Sequence, residues 1–171
     1  MKSPVFISGL RKSGTSMVKN LLDSHPDLFV FPPNELHFFR YSFHSAVVKD
    51  KLSMLSNPRQ LLERISQSSF ITRMNDRNSE FYLSDFDKKV FDDYVNTRKV
   101  DSYKEVYQVL FEAMHYALYH EPLMDSTRGV SKSVMEAEFF PELRNMFPDL
   151  KFIYVLRNPY AHFVSTVKSM R

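Results

Sequence analysis

Apolar and polar positions along this chain fall into short blocks, and the period inside each block points to the element it favours. The first is Val5-Phe6-Ile7-Ser8, apolar and β-favouring and closed by Gly9, as expected of a buried strand. From Ser13 onward Met17, Val18, Leu21 and Leu22 recur at helical spacing until His25-Pro26, where the backbone before a proline is biased away from the helix. Residues 28–31 read as a second short strand stopped by Pro32-Pro33, and Asn34 is placed to cap a short helix over 35–40. Shorter helical patterns follow at 58–65 and 86–95. The longest stripe comes next, with Tyr103, Val106, Tyr107, Leu110, Met114, Ala117 and Leu118 at i, i+3, i+4, i+7, so 102–120 is an amphipathic helix whose aromatic side is core.

After Gly129, residues 130–133 read as a third strand and 136–147 as a helix in which Pro141 marks a kink or a fresh first turn. The run Phe152-Ile153-Tyr154-Val155-Leu156 predicts a parallel strand buried on both faces, and Asn158-Pro159 opens a last helix through Met170. Strands alternating with helices define an α/β fold with a mostly parallel sheet flanked by helices, interrupted by a helical middle segment over 41–126. A length of 171 residues fits one domain over 1–171.

Composition adds exclusions. Apolar residues make up 43% and charged residues 25%, which is globular and excludes disorder. The net charge of +3 is spread along the chain rather than gathered in a block, which favours a small anionic ligand over nucleic acid. The absence of cysteine removes disulfides, thiolate nucleophiles and Cys-based zinc sites. No apolar run reaches the roughly 18 residues of a membrane span, and the apolar stretch after Met1 is short for a signal peptide, so a cytoplasmic enzyme is the expectation. Glycine is scarce, with three in the chain, and two of them, Gly9 and Gly14, bracket one loop.

That loop, Gly9-Leu10-Arg11-Lys12-Ser13-Gly14-Thr15-Ser16, leaves a strand and opens a helix, the setting in which backbone amides and a helix N-terminus hold phosphate oxygens. The nucleotide-hydrolase form of such a loop places lysine directly after the second glycine. Here Thr15 stands there, and the cations are Arg11 and Lys12, on the loop's other side.

Arg11-Lys12-Ser13-Gly14-Thr15-Ser16 resembles the 5′-phosphosulfate loop of sulfotransferases that use 3′-phosphoadenosine 5′-phosphosulfate (PAPS). The stretch from Phe147 to Pro159 resembles that family's F-P-x-x-K-F-I, strand and R-[DN]-P, with Ser165 eight residues after Arg157. Asn34-Glu35-Leu36-His37-Phe38-Phe39 is similar to the K-E-x-H-F-F stretch of glycan sulfotransferases. Lys132 resembles the lysine of the family's E-K-[ST]-P, although Val134 replaces the proline. Two departures stand out. His162 occupies a position where many members carry a second arginine, and members usually continue past the 3′-phosphate motif, so a C-terminal continuation or a partner chain is expected to complete the nucleotide's cover.

The resemblance implies a P-loop-type fold and a metal-independent sulfuryl transfer from PAPS to a hydroxyl or amine of a small-molecule or glycan acceptor. By it, Arg11, Lys12, Ser13, Gly14, Thr15 and Ser16 hold the 5′-phosphosulfate, with the amides of 13–16 on the phosphate, while Arg157 and Ser165 hold the 3′-phosphate. Lys12 stabilises the leaving group, Lys132 reaches the active site, and Glu35 is the general base, provided that partial burial raises its pKa. His37 is the competing base. Two other readings stand beside this one: a P-loop small-molecule kinase, against which Thr15 counts, and an inactive nucleotide-binding module of the same fold.

Overall fold

The computed structural model describes residues 1–32, 35, 36, 38, 57–134 and 136–168, the side chains of Glu136 and Glu138 excepted. Along them run β1 (Lys2–Gly9), α1 (Thr15–Leu22), β2 (Leu28–Val30), α2 (Pro58–Ser66), α3 (Ser69–Thr72), a 3-10 turn (Arg73–Asn75), α4 (Lys88–Thr97) and α5 (Tyr103–Tyr119). There follow β3 (Arg128–Lys132), a second 3-10 turn (Glu136–Phe139), α6 (Phe140–Met146), β4 (Lys151–Val155) and α7 (Pro159–Lys168). The chain divides into two compact units, one of Lys2–His37 with Ser126–Arg171, the other of Met1 with Phe38–Asp125.

The first unit is an α/β layer structure around a four-stranded sheet in the order β2-β3-β1-β4, every pair parallel. Because β1 is central, its alternating side chains must be apolar on both faces. Val5 and Ile7 join Val30 and Val130 on one face, where Val18 and Leu22 of α1 pack against them. Phe6 points to the other and meets the Phe147 ring at 6.2 Å, while Ser8 Oγ accepts the Ala137 N–H at 3.2 Å. Helical segments thus cover both faces, as the alternation of elements predicts. Parallel register also brings the strand ends to one edge, Ile7 beside Lys132 and Gly9 beside Val155, and the carboxyl edge of such a sheet is where open α/β proteins place ligands.

Several expectations are corrected here. β4 is not buried on both faces: it pairs with β1 alone among the described residues, Tyr154 is exposed, and Leu156 just beyond it is 83% exposed. An apolar run has the same pattern in an edge strand as in a central one, so sequence could not separate them. α1 begins at Thr15 rather than Ser13, because Gly14 at φ 106 lies outside helical geometry. Its apolar stripe is narrower than the spacing implied, with Met17 and Leu21 exposed. Pro141 belongs to a fresh first turn, that of α6, after the 3-10 turn. Glu35 and Leu36 are not helical. The Phe31 N–H donates to the Val130 carbonyl at 2.9 Å and the Leu36 N–H to the Lys132 carbonyl at 3.0 Å, so both residues are bonded to β3. Asn34, His37, Phe39 and Arg40 lie outside the described residues.

The second unit is helical. α5 carries its core face on Tyr107, Leu110, Phe111 and Met114, all fully buried, with the Tyr107 and Phe111 rings stacked at 4.5 Å and Phe38 edge-on to Tyr107 at 5.4 Å. Each long helix has a side-chain N-cap: Asn57 accepts from Gln60 N, Asp87 from Lys89 N and Val90 N, and Ser102 from Glu105 N.

The two glycines of the loop differ in why they are glycine. A Cβ on Gly9 would lie 2.7 Å from the Val155 carbonyl oxygen and 2.8 Å from Ser13 Oγ, whereas a Cβ on Gly14 would meet nothing within 4 Å but would strain its backbone at φ +106. Gly9→Ala is therefore expected to destabilise by about 1–3 kcal/mol through displaced strand backbone, and Gly14→Ala by about 1 kcal/mol through conformation alone. Urea unfolding of both variants ranks them, and a Gly14 variant weaker than the Gly9 variant would contradict this account.

Candidate functional site

The loop from Gly9 to Ser16 is a tight turn followed by an uncapped helix start. The Ser13 N–H donates to the Leu10 carbonyl at 3.1 Å, closing a turn in which Lys12 adopts φ 64. A left-handed lysine costs about 1–2 kcal/mol, so the surroundings must enforce it. The Ser13 amide, one of the expected amides of 13–16, is thus engaged within the turn. No side chain caps α1, unlike the other long helices, and its first-turn N–H groups carry the positive end of the helix dipole. The Ser13 hydroxyl is buried without a hydrogen-bond partner. A buried hydroxyl left unpaired is unfavourable, and an anion's oxygen is the kind of group that would satisfy it. Arg11 and the Lys12 side chain are exposed at the loop's rim.

A second group of polar residues gathers beside the start of α1. Lys132, at the end of β3 and 5% exposed, donates from Nζ to Glu35 Oε1 at 2.8 Å and to Ser16 Oγ at 3.2 Å. Glu35 precedes Leu36, whose N–H is bonded to the Lys132 carbonyl; its side chain keeps 23% exposure and faces the Lys132 ammonium. Three candidate residues from distant parts of the sequence thus meet at one cation. Sequence reasoning missed a fourth, Lys19. It lies one helical turn after Thr15 on the same buried face of α1, is 6% exposed, and donates to the Pro32 carbonyl at 3.1 Å. Burial above all, then the charge of Lys132, pushes its pKa down to about 8 against the opposite pull of Asp23. The signal was present in sequence as a lysine between Val18 and Leu22, the two positions that do pack on the sheet.

On the other side of the loop lies the start of α7. Arg157 Nη1 donates to the Lys12 carbonyl at 2.8 Å, and His162 Nε2 lies 2.6 Å from the Arg11 carbonyl. Arg157 and His162, with Leu10, Ser13, Leu156 and Phe163, line a cleft of about 490 Å³. Ser165, half-buried on α7, is not among the lining residues, whereas Thr166 is. Of the predicted site, then, Ser13 and Arg157 meet in the cleft, Ser16, Glu35 and Lys132 meet beside α1, and the loop joins the two groups. His37 lies outside the described residues. Among the described residues no group of three or more His, Asp or Glu is placed to hold a metal ion, and no helix is long and apolar enough to cross a membrane.

The first unit is thus an α/β fold in which a glycine-bracketed basic loop, buried lysines beside it and an arginine after the neighbouring strand gather at the carboxyl edge of a parallel sheet. The model of the sulfotransferase family matches residues 4–171, nearly the whole chain, and the chain belongs to that family, whose activity is sulfuryl transfer. Searches of curated proteins and of solved structures found no significant match.

Lys19 carries a pH signature. Between about 8 and its ordinary value of 10.5 the folded chain has released the Lys19 proton while the unfolded chain still holds it. Stability therefore rises with pH across that window, and the burden of the buried charge is fully present below it. Relative to Lys19→Met, the wild type is expected to gain up to about 3 kcal/mol in urea unfolding between those pH values. Tyr94 and Tyr103, both pushed up by burial, titrate in both proteins and cancel. A difference that stays flat with pH would show that Lys19 is solvated.

Proposed function

We propose that the chain transfers a sulfuryl group from PAPS to a hydroxyl or amine acceptor. The observation that carries this reading is the Lys132 ammonium, which holds Glu35 at 2.8 Å and Ser16 at 3.2 Å and so ties a candidate base to the phosphate loop. The residues fit an anionic nucleotide: the uncapped first turn of α1 and the unpartnered Ser13 hydroxyl suit the 5′-phosphate oxygens. Arg157 and Ser165 are proposed for the 3′-phosphate, and Arg11 for the rim. When bound, PAPS supplies the sulfuryl group and departs as adenosine 3′,5′-bisphosphate.

The chain's own residues then have distinct tasks. Lys12, exposed at the rim, offsets negative charge that develops toward the leaving phosphate. Lys132 orients the Glu35 carboxylate through Oε1, and Glu35 accepts the proton of the acceptor's hydroxyl or amine. Positioning of the two reactants in line contributes the remainder, as in phosphoryl transfer. A glycan is the acceptor class suggested by the resemblance of the Glu35 stretch.

Two experiments test the reading. Calorimetry is expected to show binding of adenosine 3′,5′-bisphosphate in preference to ATP with magnesium, with a loss on Arg157→Ala; equal or tighter ATP binding, untouched by that change, would favour the kinase reading. In turnover assays with PAPS, Lys12→Ala and Glu35→Gln are each expected to lower the rate by about two orders of magnitude or more, while Glu35→Gln leaves bisphosphate affinity nearly unchanged. A dead His37→Ala variant beside an active Glu35→Gln variant would move the base to His37. Binding with no turnover across acceptors would favour a non-catalytic module.

A further inference from the structure

The strained turn of the phosphate loop is held from outside, by side chains that follow β4. A carbonyl oxygen only accepts, so the 2.6 Å contact between His162 Nε2 and the Arg11 carbonyl requires the hydrogen on Nε2. Arg157 donates to the next carbonyl, that of Lys12, at 2.8 Å. Two consecutive peptide groups are thereby fixed. In a trans peptide the carbonyl and the following N–H point in opposite directions, so the orientation of the Lys12 and Ser13 amides is fixed with them. Between the two contacts lies Lys12 at φ 64, a conformation a lysine does not adopt unaided. His162 stands on the first turns of α7, where the Asn158 carbonyl accepts its N–H at 2.9 Å, so the ring is carried by an ordered helix rather than by a loop.

We propose that His162 is a positioning residue of the phosphate loop: its Nε2–H clamps the Arg11 carbonyl, holds Lys12 in its left-handed turn, and so aims the Lys12 side chain and the turn that leads into α1 at the nucleotide. The clamp itself follows from the geometry, while its consequence for nucleotide rests on the sulfotransferase reading above. A direct phosphate contact by His162 is the competing role, and the two differ in the ligand-free protein. Only the clamp affects the loop when no nucleotide is present.

Arg11 and Lys12 are themselves trypsin sites, which gives a ligand-free readout. Brief trypsin treatment of the whole chain, with cut sites assigned by mass spectrometry, is expected to show cleavage after Arg11 and Lys12 about fivefold faster in His162→Ala than in wild type. His162→Gln, which keeps a neutral donor, should restore most of the protection, and adenosine 3′,5′-bisphosphate affinity should fall and recover in parallel. Cleavage unchanged in His162→Ala would overturn the clamp even if affinity fell, since that pattern belongs to a direct contact; failure of glutamine to rescue would overturn it as well. If the wild type bound no bisphosphate, the sulfotransferase reading would fail while the cleavage comparison still decided the role of His162.

Discussion

A buried ammonium at the end of β3 organises the site. Lys132 is almost wholly removed from water, and a lysine charge in that position is tolerated only with oxygen partners close by. Glu35 and Ser16 supply them, which draws the stretch after β2 and the first turn of α1 onto the same point. Lys19 adds a second buried amine under the same roof, and the mutual repulsion of the two lysines is part of why its pKa falls. The Glu35 carboxylate offsets the Lys132 charge directly, and Asp23 offsets part of that of Lys19.

The sheet makes this arrangement possible. With four parallel strands in the order β2-β3-β1-β4, residues far apart in sequence emerge at one edge: the loop after Gly9, Glu35 after β2, Lys132 at the end of β3 and Arg157 after β4. Gly9 is the point of closest approach, where strand, neighbouring carbonyl and loop serine leave no room for a Cβ. The turn at Lys12 is contacted by Arg157, after β4, and by His162, on α7, residues more than a hundred positions later in the chain.

Much of this was legible without coordinates. The strand, loop and helix from Val5 to Leu22, the alternation that defines an α/β sheet, and the long amphipathic helix around Tyr107 all follow from local periodicity, and the structure contains them. The glycine pair marked the loop because glycine scarcity elsewhere left little other reason for it. Where local pattern was ambiguous, the reading missed. The apolar run of β4 predicts burial that an edge strand does not receive, and the capping asparagine before Glu35 predicts a helix, whereas Glu35 and Leu36 are not helical and the Leu36 N–H bonds to the Lys132 carbonyl of β3.

The chain's sequence by itself determined which residue types would stand at the sheet edge: a glycine-bracketed loop with its cations ahead of the second glycine, a glutamate after the second strand, a lysine and an arginine at strand ends. Only the tertiary structure decided how they combine, that Lys132 bridges Glu35 and Ser16, that Lys19 is buried beside it, and that His162 and Arg157 hold the loop's carbonyls. The reason is the range of the forces involved. Periodicity, caps and turn preferences act over a few residues and are written in local order, whereas charge pairing and hydrogen bonding at a site depend on distances that exist only once parallel pairing has brought separate segments to a common edge.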